Sequence, residues 1–227
     1  MTRDIRETVE RIREPDVTVT VTSPDFGPES LESFYDYQLA AFGVLRYMQR
    51  TKPEWDGILL ACFGDPGLYA LKEISSVPVI GIAEASLSMS LLMGQKFSLL
   101  VASEKAVPMM KDMVNQYGLT SRLASVVPIG MSVLDVEHDK DESLRRLLAT
   151  GRRALEQGAE VLILGCAGMT GLKSRMEEEL GVPVIDPVEC GYQVLEMMAR
   201  QRIRMSKIGL YRSPEPKPIQ QSAFLTE

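Results

Sequence analysis

The chain has 227 residues, 45% of them hydrophobic and 25% charged, which is the composition of an ordinary water-soluble globular protein. This length suits one large α/β domain or two small ones. The net charge of −6 argues against general attraction to nucleic acid or to an anionic membrane. No apolar run reaches the ~18 residues of a membrane span, and the charged start does not resemble a secretory signal, so we expect a cytoplasmic protein.

Histidine and cysteine content restricts the chemistry further. A Ser-His-Asp triad, a Cys-His hydrolase or a multi-histidine zinc site would have to use the single histidine, His138. The three cysteines are Cys62, Cys166 and Cys190, at spacings that form neither a disulfide framework nor a C-x-x-C motif. If they have a function, they act as thiols.

Short β-branched runs alternate with longer helical stretches, as in a parallel sheet with crossover helices. In chain order the pattern predicts strand 17–22, helix 33–49, strand 57–61, a helix capped by Asp65 and running through Ile74, strand 77–80, helix 83–93, strand 97–101, helix 105–117, strand 123–127, helix 142–157, strand 161–164, helix 169–180, strand 182–185 and helix 188–200. The proline-containing tail from Ser206 is expected to be an irregular surface segment or an arm against a second copy in a homo-oligomer.

An internal repeat contains two of the cysteines. Cys62 follows Gly57-Ile-Leu-Leu-Ala and Cys166 follows Glu160-Val-Leu-Ile-Leu-Gly, and each precedes a predicted helix and a Val-Pro-Val-Ile strand. The interval from the cysteine to that strand is 15 residues in the first copy and 16 in the second. Each cysteine is therefore expected just past the carboxyl end of a buried strand, where open α/β sheets bind ligands.

The repeat predicts an α/β fold of two pseudo-symmetric halves, each a mainly parallel sheet flanked by helices. We expect residues 1–95 together with 188–227 to form the first half with the C-terminal helix and tail, and residues 96–187 to form the second. The active site would lie in the cleft between the halves, with one cysteine on each wall. Free cysteines are often only buried packing residues, but matching positions in two halves favour a function for both.

Two opposed thiols can move a proton through a carbon acid. The turns at 63–67 and 167–171 would aim backbone N–H groups into the cleft, and such donors favour a thiolate or hold a substrate oxyanion. With one cysteine ionised and the other protonated, a carbon acid between them loses a proton on one face and gains one on the other. A substrate with its own carbonyl beside the reacting carbon needs no electron sink, so we expect neither cofactor nor metal.

Four segments carry a resemblance to a known family. They are Ala61-Cys62-Phe63-Gly64-Asp65-Pro66-Gly67-Leu68, Val77-Pro-Val-Ile-Gly-Ile-Ala-Glu-Ala85, Leu164-Gly-Cys166-Ala-Gly-Met169 and Val182-Pro-Val-Ile-Asp-Pro187. They resemble the hydantoin racemase branch of the aspartate/glutamate/hydantoin racemase superfamily, and the similarity extends through nearly the whole chain. Amino-acid racemases of that superfamily usually follow the first cysteine with Asn-Thr and the second with Thr. Phe63-Gly64 and Ala167-Gly168 stand there in this chain, which favours a cyclic ureide substrate.

The resemblance implies cofactor-independent racemisation of 5-monosubstituted hydantoins, with Cys62 and Cys166 as the two bases. It also implies substrate contacts from five residues: Ser30, Phe63, Gly64, Ala167 and Gly168. Allantoin is a hydantoin with a ureido group, and allantoin racemases share the same cysteine blocks, so the C5 substituent stays open.

The chain departs from the family pattern at two places. Family members usually begin with a strand ending in Asn-Pro-Asn-Thr/Ser, followed by the Met-Thr at which this chain starts, so we expect a truncated start. Where the family often has Thr-Thr, this chain has Val101-Ala102, so hydroxyl contacts to the substrate are expected to be lost there.

Other interpretations remain open from the sequence. One cysteine could act as the covalent nucleophile of a hydrolase or lyase, the substrate could be another amino-acid derivative, or the protein could bind hydantoins without catalysis. The glycines at 165, 168 and 171 resemble a dinucleotide turn only superficially. The polar residues at 137–142 are expected to be a solvated helix cap and not a metal site, and Cys190 is expected to be a packing residue.

Overall fold

The computed structural model describes residues 1–51, 54–218 and 220, which form parallel sheets flanked by helices. The helices are α1 Thr2–Ile12, α2 Phe34–Thr51, α3 Leu68–Ile74, α4 Ile82–Met93, α5 Ala106–Gln116, α6 Val133–His138, α7 Lys140–Glu156, α8 Lys173–Leu180 and α9 Pro187–Arg200. The strands are β1 Ile58–Leu60, β2 Val79–Gly81, β3 Phe97–Val101, β4 Leu123–Pro128, β5 Val161–Leu164 and β6 Val184–Ile185. The predicted α/β class is confirmed.

Strands β1 and β2 form one parallel pair, and the other four strands form a parallel sheet in the order β4-β3-β5-β6. Side chains of β3 alternate between two apolar clusters: Leu99 and Val101 enter one cluster and Leu100 enters the other. Strand β5 alternates in the same way, with Ile163 on one face and Leu164 on the opposite face. Because both faces are covered, these strands have the continuous apolar sequences typical of a buried parallel sheet.

The sequence repeat has the same strand register in both copies. Ile58, four residues before Cys62, pairs with Val79, and Leu162, four residues before Cys166, pairs with Val184. The backbone N–H of Ile58 donates to Pro78 at 2.9 Å, and that of Leu162 donates to Pro183 at 3.0 Å. The two β-α-β units are therefore equivalent at the strands that precede the cysteines.

The strand predicted over 17–22 is wrong. Residues 17–24 have no regular secondary structure, although Val and Thr alternate through them. Strand propensity largely reflects packing against a neighbouring strand, and within the described chain no strand pairs with this segment. The sequence also failed to predict α1 and α6, and the predicted helix over 169–180 begins only at Lys173, after a 3₁₀ turn at Ala167–Met169.

Asp65 does not cap the helix that follows it, because Gly67 occupies the N-cap position of α3. The Asp65 carboxylate instead accepts from Ala83 N–H at 3.1 Å and from Glu84 N–H at 2.9 Å, at the start of α4. The prediction that Asp65 caps α3 is therefore wrong, because its carboxylate bonds to the start of α4. The carboxylate fastens the loop after Cys62 to the helix that follows β2.

Asp186 makes the corresponding connection in the second copy. Its carboxylate caps α9 by accepting from Val188 N–H at 3.0 Å, and it accepts from Thr170 Oγ1 at 2.8 Å and Gly171 N–H at 2.8 Å in the loop after Cys166. Thr170 also shares a hydrogen bond with Thr8 of α1 at 3.1 Å. The Cys166 loop is therefore tied to both α9 and α1.

Helix α9 packs against α1, α4 and the β1–β2 pair, and the irregular segment after it runs along α3. In that segment, Lys207 Nζ donates to the carbonyls of Lys72 and Glu73 at the end of α3. The last part of the predicted tail, residues 219 and 221–227, lies outside the described residues. The proposed boundaries of the two halves stay a prediction, as does the homo-oligomer. Among the described helices, none has the length and hydropathy of a membrane-spanning helix.

We expect Asp186→Ala to lower the free energy of unfolding by about 2–4 kcal/mol, because a carboxylate that is 2% exposed leaves a helix cap, a hydroxyl and a loop amide without their acceptor. Urea unfolding followed by circular dichroism measures the change. Glu178→Ala, an exposed carboxylate on α8, is the matched control and should change stability by less than about 0.5 kcal/mol. A loss for Asp186→Ala as small as that of the control would contradict the structural role.

Candidate active site

A cleft of about 1090 Å³ lies between the two cysteine loops. Its walls come from the segment 16–32, from β1 and the loop after it, from residues 102–110, from the loop after β5, and from α9. Cys62 and Cys166 both line it. The prediction that the two repeat cysteines share one cleft is therefore supported by the geometry, while their catalytic role stays a prediction.

Each cysteine lies two residues beyond the end of its strand, Cys62 after β1 and Cys166 after β5. The glycine two residues after each cysteine turns its backbone N–H back toward that cysteine: Gly168 N–H donates to Cys166 Sγ at 3.4 Å, and Gly64 N–H donates to the Cys62 carbonyl at 2.8 Å. Both N–H groups lower the pKa of the neighbouring thiol, because a thiolate is a better acceptor than a thiol. The glycine N–H bonds directly to the sulfur only in the second copy.

Burial acts in the opposite direction and is the larger effect, so the pKa of both thiols lies above its ordinary value. Negative charge on Cys166 raises the pKa of Cys62 further. Ionisation of one thiol therefore disfavours ionisation of the other, and the two groups titrate as a coupled pair.

The surroundings of the two thiols differ in charge. The Asp65 carboxylate raises the pKa of Cys62, whereas the Lys140 ammonium lowers the pKa of Cys166. Lys140 Nζ donates to the Gly168 carbonyl at 2.5 Å and pairs with Asp4 at 3.0 Å, which fixes the ammonium beside the Cys166 loop. Glu32 opposes this effect by raising the pKa of Cys166. Lys140 therefore places a positive charge on the Cys166 side of the cleft.

The residues predicted to contact substrate occupy two kinds of position. Ser30, Phe63 and Ala167 line the cleft, and the Ser30 hydroxyl donates to Glu32 at 3.2 Å. Gly168 instead donates its N–H to Cys166 Sγ, and Gly64 donates its N–H to the Cys62 carbonyl. All five substrate contacts stay predictions.

The third thiol is apart from this arrangement. Cys190 lies in α9 within the apolar core, is 8% exposed and is absent from the described cleft walls. Burial raises its pKa to about 11.

Asp139, in the polar segment at 137–142, caps α7 by accepting from Glu142 N–H at 2.9 Å. Within the described part of the chain, no three His, Cys, Asp or Glu side chains are grouped so as to hold a metal ion.

Sequence reasoning missed three cleft-side groups, Glu32, Tyr37 and Lys140. Glu32 and Tyr37 line the cleft itself, and Lys140 reaches the Cys166 loop from the start of α7. All three come from segments far from the cysteines in sequence, so only the tertiary fold brings them together.

Ala102 presents a methyl group to the cleft at the position where the sequence predicted a loss of hydroxyl contacts.

Parallel β-α-β repeats that each present a thiol to a common cleft define an α/β protein of the racemase type. The sequence matches the family model described as Asp/Glu/Hydantoin racemase over residues 1–195, and the chain belongs to that family. The resemblance carried by the cysteine segments is thereby confirmed. The family is one of racemases, which are isomerases.

Relatives extend over nearly the whole chain. A protein named hydantoin racemase from Pseudomonas sp. (strain NS671) is 36% identical over 219 residues, covering 96% of this chain and 88% of the relative. The structure of allantoin racemase from Klebsiella pneumoniae superposes with a TM-score of 0.92 at 31% identity, covering 99% of this chain and 93% of the other. The allantoin racemase from Pseudomonas fluorescens gives a TM-score of 0.91 at 32% identity, covering 96% and 93%.

We expect Lys140→Gln to slow the alkylation of Cys166 by iodoacetamide several-fold, because the ammonium favours the thiolate and the thiolate is the reactive form. Timed alkylation followed by peptide mass spectrometry measures both cysteines in one sample, so Cys62 serves as an internal reference. Lys111→Gln, an exposed lysine on α5, is the matched control. Equal slowing of Cys62 and Cys166 would show that Lys140 acts on cleft access and not on the Cys166 charge.

Proposed function

We propose that the protein racemises 5-monosubstituted hydantoins without a cofactor, with Cys62 and Cys166 as the two bases. The observation that carries the proposal is the equivalent placement of the two thiols, each two residues past a strand of its repeat and each in the wall of one cleft. The relative from Pseudomonas named hydantoin racemase supports the substrate class. A racemase must reach both faces of one carbon, and thiols contributed by two opposed loops meet that need.

The charges around the thiols decide which of them ionises first in this proposal. When one thiol of the pair is ionised it is Cys166, because Lys140 favours its thiolate whereas Asp65 disfavours the thiolate of Cys62. For one enantiomer, Cys166 takes the C5 proton: an S–H bond forms, the C5–H bond breaks, and the electron pair moves into the adjacent ring carbonyl as an enolate.

Completion of the reaction uses the other wall. Cys62 delivers its proton to the opposite face of C5, its S–H bond breaks, and the enolate returns to a carbonyl. The product is the mirror image, and the enzyme is left with Cys166 protonated and Cys62 ionised. The second enantiomer follows the same steps in reverse, so each thiol acts as base for one enantiomer and as acid for the other.

Allantoin is the second candidate substrate, because two solved structures that superpose with TM-scores of 0.92 and 0.91 are named allantoin racemases. Allantoin differs from the other hydantoins only in its C5 substituent, a ureido group, so the same two-thiol chemistry applies. Chiral chromatography of benzyl-, isobutyl- and ureido-hydantoins after incubation with the protein distinguishes the candidates. Racemisation of none of the three would contradict the proposed function.

We expect Cys62→Ser and Cys166→Ser each to reduce racemisation by about 10²–10⁴-fold, because a hydroxyl with a far higher pKa cannot serve as the base. Each single variant is expected to keep some exchange of the C5 proton with deuterium for one enantiomer only, which NMR detects without inversion. Cys190→Ser is the matched control and should keep its activity, since Cys190 lies in the core. Near-normal racemisation by either cleft variant would exclude the two-thiol mechanism.

The pH profile of kcat/KM is expected to be bell-shaped. Activity rises with pH as the first thiol ionises and falls as the second ionises, because catalysis needs one proton on the pair. Burial raises the pKa of both thiols, so the maximum should lie on the alkaline side of neutrality. A polarimetric assay across the pH range, with circular dichroism as the control for unfolding, measures it. A maximum below pH 6 would point to a carboxylate base.

A further inference from the structure

The side chain of Tyr37 lines the cleft that both cysteines line. Tyr37 lies in the first turn of α2 and lines the cleft. Cys62 and Cys166 line the same cleft, and the hydroxyl end of Tyr37 lies against Gly64 of the Cys62 loop. Helix α2 belongs to neither β-α-β repeat. The phenol therefore reaches the cleft from an element outside both repeats, with its hydroxyl end against the Cys62 loop.

Gly64 allows this approach. A Cβ atom at residue 64 would stand 2.3 Å from both Cζ and Oη of Tyr37, so any larger residue there would displace the hydroxyl end of the ring. Phe34, one turn earlier on α2, packs edge-on against the phenol with ring centroids 6.2 Å apart. The ring also packs against the apolar core. These contacts hold the hydroxyl in one place beside the Cys62 loop.

The hydroxyl of Tyr37 is available to a ligand. None of the side-chain hydrogen bonds found among the described residues involves it, whereas a phenol in a protein interior usually finds a partner. Burial is the main cause that raises the pKa of Tyr37, and the surrounding negative charges raise it further. The phenol therefore stays protonated at neutral pH, where it can donate a hydrogen bond and cannot act as a base.

We propose that Tyr37 donates a hydrogen bond to the ring carbonyl oxygen next to C5 of the bound hydantoin. The proposal rests on the proposed function, because C5 must lie between the two sulfurs for both to reach it. The carbonyl bonded to C5 then lies in the cleft that the phenol lines. This carbonyl receives the electron pair when the proton leaves, so a donor placed there stabilises the developing enolate. Tyr37 would then be a catalytic residue beside the two thiols.

Two ligands that cannot be racemised isolate this contact. One is 5,5-dimethylhydantoin, which has no C5 proton, and the other is 4,4-dimethylimidazolidin-2-one, the same ring without the carbonyl in question. Calorimetric titration of the full chain should show that Tyr37→Phe binds the first ligand about 3–10-fold more weakly and the second ligand as the wild type does. Tyr35→Phe, which alters a tyrosine that is 73% exposed on the same helix, should change neither affinity.

Turnover supplies an independent measurement. With 5-methylhydantoin, Tyr37→Phe should lower kcat by about 10²-fold with a smaller change in KM, while the thermal midpoint stays that of the wild type. Equal weakening of both ligands by Tyr37→Phe, or weakening of neither, would overturn the proposal. Failure of wild type to bind dimethylhydantoin would overturn it together with the proposed function. A carbonyl-dependent loss of affinity in a protein that racemises no hydantoin would support the Tyr37 contact and contradict only the racemase reaction.

Discussion

Two buried carboxylates set the positions of the two sulfurs. In the first repeat the carboxylate belongs to the cysteine loop, where Asp65 reaches forward to the N–H groups at the start of α4. In the second repeat it belongs to the helix, where Asp186 reaches back to Thr170 and Gly171 of the cysteine loop. Either way, an acceptor at a helix N-terminus, where negative charge is favoured, joins the loop after the first strand to the helix after the second. The loop that presents each thiol therefore cannot move independently of its repeat.

This difference between the repeats has an electrostatic consequence. Asp65 is three residues from Cys62, and burial raises the pKa of its carboxyl to about 7, so near neutral pH it places a partial negative charge beside that thiol. Asp186 accepts from four donors in the second repeat, and Cys166 is instead influenced by the Lys140 ammonium, which Glu32 opposes. A symmetric backbone thus carries two thiols whose ionised forms differ in free energy. The two thiols therefore differ in how readily they ionise, because of side chains outside the repeated strands.

The sequence was informative where the repeat imposes a local pattern. The spacing from each cysteine to Val-Pro-Val-Ile correctly predicted two β-α-β units, since buried parallel strands and their loops are encoded in short contiguous segments. It failed where a role depends on a distant partner. The alternating residues at 17–22 have strand propensity but no pairing strand in the described chain, and Asp65 precedes a proline as an N-cap would but bonds to α4. Tyr37 and Lys140 carry no signal near the cysteines, because only the tertiary packing of α2 and α7 brings them to the cleft.

The unequal thiols constrain how the proposed reaction can proceed. Enantiomers have equal free energies in water, so the equilibrium constant of a racemisation is one and kcat/KM must be the same for both substrates. Lys140 and Asp65 therefore cannot make the enzyme a better catalyst for one enantiomer at low substrate concentration. They can only shift kcat and KM together, by favouring the enzyme form in which Cys166 is ionised. The enantiomer whose proton faces Cys166 binds this form directly. Its mirror image binds the form left after the first turnover, and proton exchange between the two forms then becomes part of the catalytic cycle.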